Sequence, residues 1–184
     1  MATQVDSIRT IYSQPEIQER IKEMGQQISS DYAKLEHPVV IGVMKGAFCF
    51  LADIVRQIKT PDPLQIEFVR LASYGSATES SGSVQTPYLE LPNISRRNIL
   101  VVEDIIDTGL TLTRLLDILG SRGANSIKLA SFLDKPEPRI NKELKLDYTG
   151  FVIPNEFVVG YGLDAAGRYR NLPFIGVVKN PAEA

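Results

Sequence analysis

Residues 101–111 read Val-Val-Glu-Asp-Ile-Ile-Asp-Thr-Gly-Leu-Thr. The run before and into this stretch, residues 98–102 (NILVV), is aliphatic and β-branched without interruption, the signature of a strand covered on both faces. Two adjacent carboxylates, Glu103 and Asp104, follow the expected strand end at Val102, and Asp107-Thr108-Gly109 then opens a helix expected over residues 110–119. Small and hydroxyl side chains fill residues 107–111, and Gly109 lets another group approach the backbone closely. A loop of that kind ending at a helix N-terminus offers free N–H groups and a favourable dipole to an anion such as phosphate. Carboxylates beside such a pocket repel an anion unless they accept sugar hydroxyls or hold a metal, so the combination points to a phosphorylated sugar.

Outward from this stretch the chain alternates short apolar strands with helices. Residues 37–44 (HPVVIGVM) read as a buried strand, 47–58 as an apolar helix, and 65–71 (QIEFVRL) as a strand of period two. Further strands are expected at 126–133, 148–153 and 174–178. Upstream, Ile17, Ile21, Met24, Ile28, Tyr32 and Leu35 recur at helical spacing over residues 15–35, with Pro15 suited to the first helical position. This alternation predicts an α/β fold, a mostly parallel twisted sheet flanked by helices in a single domain spanning residues 1–184. In such sheets ligands gather at the carboxyl ends of strands, which selects residues 44–46, 103–109 and the stretches after Leu71 and Leu133. Residues 73–88 (SYGSATESSGSVQTPY) are too long and too polar for an ordinary connection, and their place at that end predicts a mobile lid.

Composition excludes other classes. The chain has 184 residues, 43% hydrophobic and 23% charged, with one Cys and no Trp. That length buries roughly 70% of the unfolded surface, enough for one sizeable core. The net charge of -2 argues against a nucleic-acid binder, and the one clustered basic pair is Arg96-Arg97. No apolar run reaches a membrane span, the N-terminus lacks the apolar centre of a signal peptide, and Cys49 has no partner for an intrachain disulfide; a cytoplasmic location is expected. His37, the only histidine, stands outside every candidate motif and reads as structural.

The 101–111 string resembles the phosphoribosyl pyrophosphate-binding motif of type I phosphoribosyltransferases, in the form carried by their hypoxanthine-guanine branch. The likeness continues in order along the chain. Met44-Lys45-Gly46 is similar to the family's first loop, Arg70-Leu71-Ala72-Ser73-Tyr74-Gly75 to the start of its lid, and Ser131-Phe132-Leu133-Asp134-Lys135 to the segment that carries a purine-reading lysine. Residues 157–164 (FVVGYGLD) and 168–172 (RYRNL) resemble its base-binding hood and pyrophosphate arginine.

The resemblance implies transfer of a 5-phosphoribosyl group from phosphoribosyl pyrophosphate to N9 of hypoxanthine or guanine, giving IMP or GMP and pyrophosphate, with Mg²⁺ as cofactor. Glu103, Asp104, Asp107, Thr108, Gly109, Leu110 and Thr111 would bind the phosphoribosyl group, with Asp107 as general base toward purine N7. Lys45, Gly46 and Arg170 would hold pyrophosphate, and Ser73 and Tyr74 would close with the lid. Lys135 would donate to purine O6, Phe157 would stack on the base, and Val158 would offer backbone groups to its edge. Asp164 counts both with the purine-binding residues and, beside Glu103 and Asp104, with the metal ligands. The chain departs from some relatives at Asn171, where they carry Asp, and the plain Ala165-Ala166-Gly167 segment leaves preference at purine C2 unread. A homodimer or homotetramer is implied. The alternatives are a xanthine-accepting relative and an RNA-binding regulator on the same fold.

Overall fold

The computed structural model describes residues 8–71 and 91–178, so the 73–88 segment with Ser73 and Tyr74 lies outside the described residues. In chain order the elements are β1 (Ile8–Tyr12), α1 (Gln14–Tyr32), β2 (Pro38–Met44), α2 (Phe48–Gln57), β3 (Gln65–Arg70), β4 (Asn98–Ile106), α3 (Leu110–Ser121), β5 (Ser126–Asp134), β6 (Tyr148–Val152), β7 (Val158–Val159) and β8 (Ile175–Val178). Five strands form a parallel sheet in the order β3-β2-β4-β5-β6. Because strand side chains alternate between faces, the central strands feed two separate cores. Val40, Leu100, Val102, Ala130 and Phe132 pack under α1 and α2. Val39, Ile41, Ile99, Val101 and Leu129 pack under α3.

The chain reverses its direction of travel across the sheet between β2 and β4, and a crevice opens there at the carboxyl ends of both strands. This places the β2–α2 turn and the β4–α3 turn opposite each other.

Three expectations change. β4 does not stop at Val102: it continues through Ile106, with Glu103 opposite Ser131 and Ile105 opposite Leu133 in the ladder with β5. Pairing with a buried parallel neighbour carries the strand through two charged residues that end its apolar pattern. The first helix ends at Tyr32, and Leu35 reaches the core from a turn closed by its N–H on the Tyr32 carbonyl at 3.1 Å. The 174–178 strand is β8, and it leaves the parallel sheet for an antiparallel one of order β1-β8-β7. The hood is therefore completed by β1, from the opposite end of the chain. His37 contributes backbone contacts, its N–H on Asp62 and its carbonyl accepting from Arg97, in line with a structural part.

Candidate active site at the switch point

The β4–α3 turn is built so that its carbonyls face the protein. The Ile106 oxygen accepts from the Lys135 N–H at 2.9 Å and from the Arg139 guanidinium at 3.1 Å; the Asp107 oxygen accepts from Arg139 Nε at 2.8 Å. The Thr108 oxygen accepts from the Ile140 N–H at 3.0 Å, and the Gly109 oxygen from the Thr113 N–H and hydroxyl. A trans peptide sets its C=O and N–H in opposite directions. Carbonyls held on one side therefore turn the intervening N–H groups to the other, where residues 107–109 and Thr111 line a cavity of about 420 Å³ and the Thr108 N–H donates to the Asp107 carboxylate. Gly109 heads α3 at φ 76°, a left-handed conformation that favours glycine, and a Cβ there would press on Leu144 and Arg139. The first-turn N–H groups of α3 have no intrahelical acceptors and complete an anion cradle.

Opposite the cradle, Lys45 and Gly46 follow a cis Met44–Lys45 peptide at the end of β2 and line the same cavity. A Cβ on Gly46 would overlap the Asp104 carboxylate, so only glycine lets this turn lie against β4. Asp164 and Arg170 close the cavity from the hood, ion-paired at 2.6 Å, while Arg170 also donates to the Gly162 carbonyl at 2.6 Å.

Between these walls lie Glu103 and Asp104. Burial raises both carboxyls above their ordinary range, Glu103 strongly, and Asp104 adds to the effect on Glu103 by its charge and by the hydrogen bond between them. The Ile105 N–H, at 2.9 Å from Asp104, and the Arg170 charge work the other way on Asp104. Glu103 Oε2 is buried with no hydrogen-bond partner. Such an atom costs about 1–3 kcal/mol, which a folded protein retains where a ligand satisfies it.

The residues expected to read a base lie outside the lining of this cavity. Lys135 is bound through its N–H to the cradle, and burial lowers the pKa of its ammonium against the opposing charges of Asp107 and Glu156. Phe157 is 43% exposed, unusual for so large an apolar side chain, and Val158 is buried in β7. Leu110 lies at the helix start with its side chain exposed. The cavity thus gathers Lys45, Gly46, Glu103, Asp104, Asp107, Thr108, Gly109, Thr111, Asp164 and Arg170, while Lys135, Phe157, Val158 and Leu110 do not line it. Among the described residues no three carboxylates converge as a ready-made metal cage, so Glu103, Asp104 and Asp164 share a cavity without forming one cluster. The sequence reading passed over Arg139, which is buried in an ion pair with Asp134. The available signal was an arginine closing a proline-bracketed turn, Lys135-Pro136-Glu137-Pro138-Arg139, just after a candidate ligand.

Residues 7–166 match the family model of the phosphoribosyl transferase domain. The chain is 45% identical over 174 residues to the hypoxanthine-guanine phosphoribosyltransferase of Bacillus subtilis, covering 95% of this chain and 94% of that one. It is 46% identical over 174 residues to the bifunctional protein TilS/HprT of Listeria monocytogenes, covering 95% of this chain but 26% of that longer protein. Its structure superposes on the hypoxanthine phosphoribosyltransferase of Staphylococcus aureus with a TM-score of 0.87 at 37% identity, covering 100% of this chain and 98% of that one. Among the described residues no helix is long and apolar enough to cross a membrane. With an anion cradle at the switch point, paired carboxylates beside it and these relatives over nearly its whole length, the chain belongs to the phosphoribosyltransferase family, on its hypoxanthine-guanine branch.

Proposed function

We propose that this protein salvages purines, transferring the 5-phosphoribosyl group of phosphoribosyl pyrophosphate to N9 of hypoxanthine or guanine. The observation that carries the reading is a single cavity bounded by an N–H-lined cradle on one side, Arg170 on the other and two buried carboxyls between. A phosphate, a pyrophosphate and a ribose with its hydroxyls divide among those walls. Residues 107–111 take the 5′-phosphate through backbone N–H groups and the Thr108 and Thr111 hydroxyls. Glu103 and Asp104 accept the ribose hydroxyls, which gives the unpartnered Glu103 oxygen a donor. Lys45, Gly46 and Arg170 hold the pyrophosphate, where a guanidinium fork suits two phosphoryl oxygens.

Asp107 is the exposed carboxylate of the cradle and takes the purine N7 proton as N9 bonds to the sugar. Lys135 donates to purine O6, and a cationic donor cannot satisfy a 6-amino group. Phe157 supplies a stacking face and Val158 backbone groups for the base edge. Ser73 and Tyr74 would exclude water as the lid closes. The carboxylates of Glu103, Asp104 and Asp164 suit Mg²⁺, a hard cation usually bound by one or two carboxylates plus substrate phosphates rather than by a full protein cage, and the orphaned Glu103 oxygen fits that use. When bound, the ion supplies charge neutralisation at the pyrophosphate. A cytoplasmic homodimer or homotetramer completes the reading, its size measurable by light scattering.

The test follows pyrophosphate release with hypoxanthine, guanine, xanthine and adenine in parallel, with and without Mg²⁺. The expected result is Mg²⁺-dependent turnover with hypoxanthine and guanine and none with adenine. Turnover with adenine alone, or with no base, overturns the assignment.

A further inference from the structure

We propose that Arg139 is a positioning residue for substrate binding, holding the β4–α3 turn in its anion-binding shape and tying that turn to the strand end that presents Lys135. The inference rests on reading residues 107–111 as the seat of the 5′-phosphate.

Arg139 is 7% exposed, and its hydrogen bonds converge on the junction of the β4–α3 turn with the end of β5. Nε donates to the Asp107 carbonyl at 2.8 Å, one terminal nitrogen donates to the Ile106 carbonyl at 3.1 Å, and the same nitrogen is ion-paired with Asp134. A guanidinium has a planar fork of donors, and a lysine ammonium could not span the two carbonyls and the carboxylate in one plane. The consequence follows from peptide geometry. Each carbonyl drawn toward Arg139 turns the next N–H away from it, so the guanidinium directs the Asp107 and Thr108 N–H groups without touching ligand, and on that far side the Thr108 N–H donates to the Asp107 carboxylate. The aliphatic stem backs the same turn: a Cβ on Gly109 would stand 3.1 Å from Arg139 Cδ.

The second link runs through the Ile106 carbonyl, which Arg139 shares with the Lys135 N–H at 2.9 Å. Asp134, the anionic partner, is the residue before Lys135, and its own carbonyl accepts from the Ile153 N–H at 2.9 Å. One buried ion pair therefore joins the backbone of the phosphate cradle at Ile106 and Asp107 to the strand end that carries the purine-reading lysine. An ion pair buried only for stability is a poor investment against desolvation, whereas one that fixes register can be retained for specificity. The pyrophosphate wall, made by Lys45, Gly46 and Arg170, receives nothing from Arg139.

That asymmetry gives the experiment its readout. Calorimetric titration measures dissociation constants for IMP, which carries the 5′-phosphate, and for pyrophosphate, which does not, on the wild-type chain and on Arg139→Met. The expected outcome is IMP binding weakened tenfold or more, with pyrophosphate within twofold of wild type. Arg139→Lys, which keeps charge and stem but loses the fork, should show the same selectivity at three- to tenfold. Asn98→Ala, a destabilised control at the far end of β4, should leave both constants unchanged. Wild-type IMP affinity in a folded Arg139→Met overturns the proposal, as does equal weakening of IMP and pyrophosphate. Should Arg139→Met fail to fold, Arg139→Lys decides by the same two criteria. A wild-type chain that turns over no purine and binds no IMP instead sinks the underlying reading of the site, and the positioning role with it.

Discussion

The two ends of the parallel sheet treat polar groups in opposite ways. Where the strands begin, Asn98 is 5% exposed and fully employed: its amide donates to the Glu36 carbonyl, and its oxygen accepts from Asn125 and Ser126, each at 2.8 Å. Beside it Lys128, Asp31 and Tyr148 close on one another. Where the strands finish, Glu103 keeps a buried oxygen without a partner and the cradle N–H groups face a cavity. One end is satisfied by the chain itself, the other is arranged to be satisfied by something else, and activity should separate from stability along β4. The sharpest break between them is Asp107→Asn. The amide still accepts from the Thr108 N–H but cannot take a proton, so kcat for hypoxanthine should fall on the order of 10²–10³-fold. The thermal midpoint should stay close to wild type because the side chain is exposed. A midpoint drop with kcat intact would make Asp107 an ordinary cap and erase the contrast.

The opposite experiment is Asn98→Ala. Removing the hub strands the amide of Asn125, the hydroxyl of Ser126 and the carbonyl of Glu36, at a cost of about 2 kcal/mol in denaturant unfolding. Steady-state kcat and KM at a temperature where the variant is folded should match wild type.

The same contrast explains what was legible in the sequence. Satisfied, apolar parts announce themselves: the buried side of α1 (Ile17, Ile21, Met24, Ile28, Tyr32) and the run of buried residues in β2 follow from period alone. The cradle was legible because small residues beside carboxylates have few other uses. The strand through Glu103 and Asp104 was not, because its pairing comes from β5, far along the chain, and overrides local polarity. The hood strands β1 and β7 were missed for a similar reason. β1 has a mixed burial pattern, β7 spans two residues, and both exist by pairing with β8. Arg139 escaped because two of its contacts are with main-chain carbonyls, which leave no mark in side-chain pattern, and its charge partner Asp134 sits at the end of β5.

Glu103→Gln tests whether the unsatisfied end costs stability. Burial raises the Glu103 pKa well above its ordinary 4.5, so the carboxyl contributes no penalty below that pH, where folded and unfolded chains both carry the proton. Above it the unfolded chain ionises and gains while the buried group does not, and wild-type stability declines as pH rises through the folded value. A glutamine has nothing to titrate and can donate to Asp104. At pH 7 the variant should be more stable than wild type, with the advantage vanishing below pH 4.5. Its kcat/KM should fall about tenfold, the equivalent of one lost hydrogen bond to ribose. A variant less stable at pH 7 would place Glu103 among the satisfied groups.

The smallest effect belongs to the other end, at Asp31. Hydrogen bonds from Lys128 at 2.6 Å and from Tyr148 at 2.7 Å hold its carboxylate below the ordinary 3.8. A depressed value stabilises the fold above the unfolded pKa, and that contribution is lost as pH falls from about 3.8 through the lower native value, the reverse of Glu103. Both partners are partly in water, Asp31 at 39% and Lys128 at 30% side-chain exposure, so screening discounts the pair to roughly 0.5 kcal/mol. Asp31→Asn should therefore lose about that much at pH 7 and converge with wild type in acid. In 1 M salt, where the screening length is only about 3 Å, the gap should narrow further. A gap insensitive to both acid and salt would mean that the contact is held by packing rather than charge, and the two ends of the sheet would then differ in hydration alone.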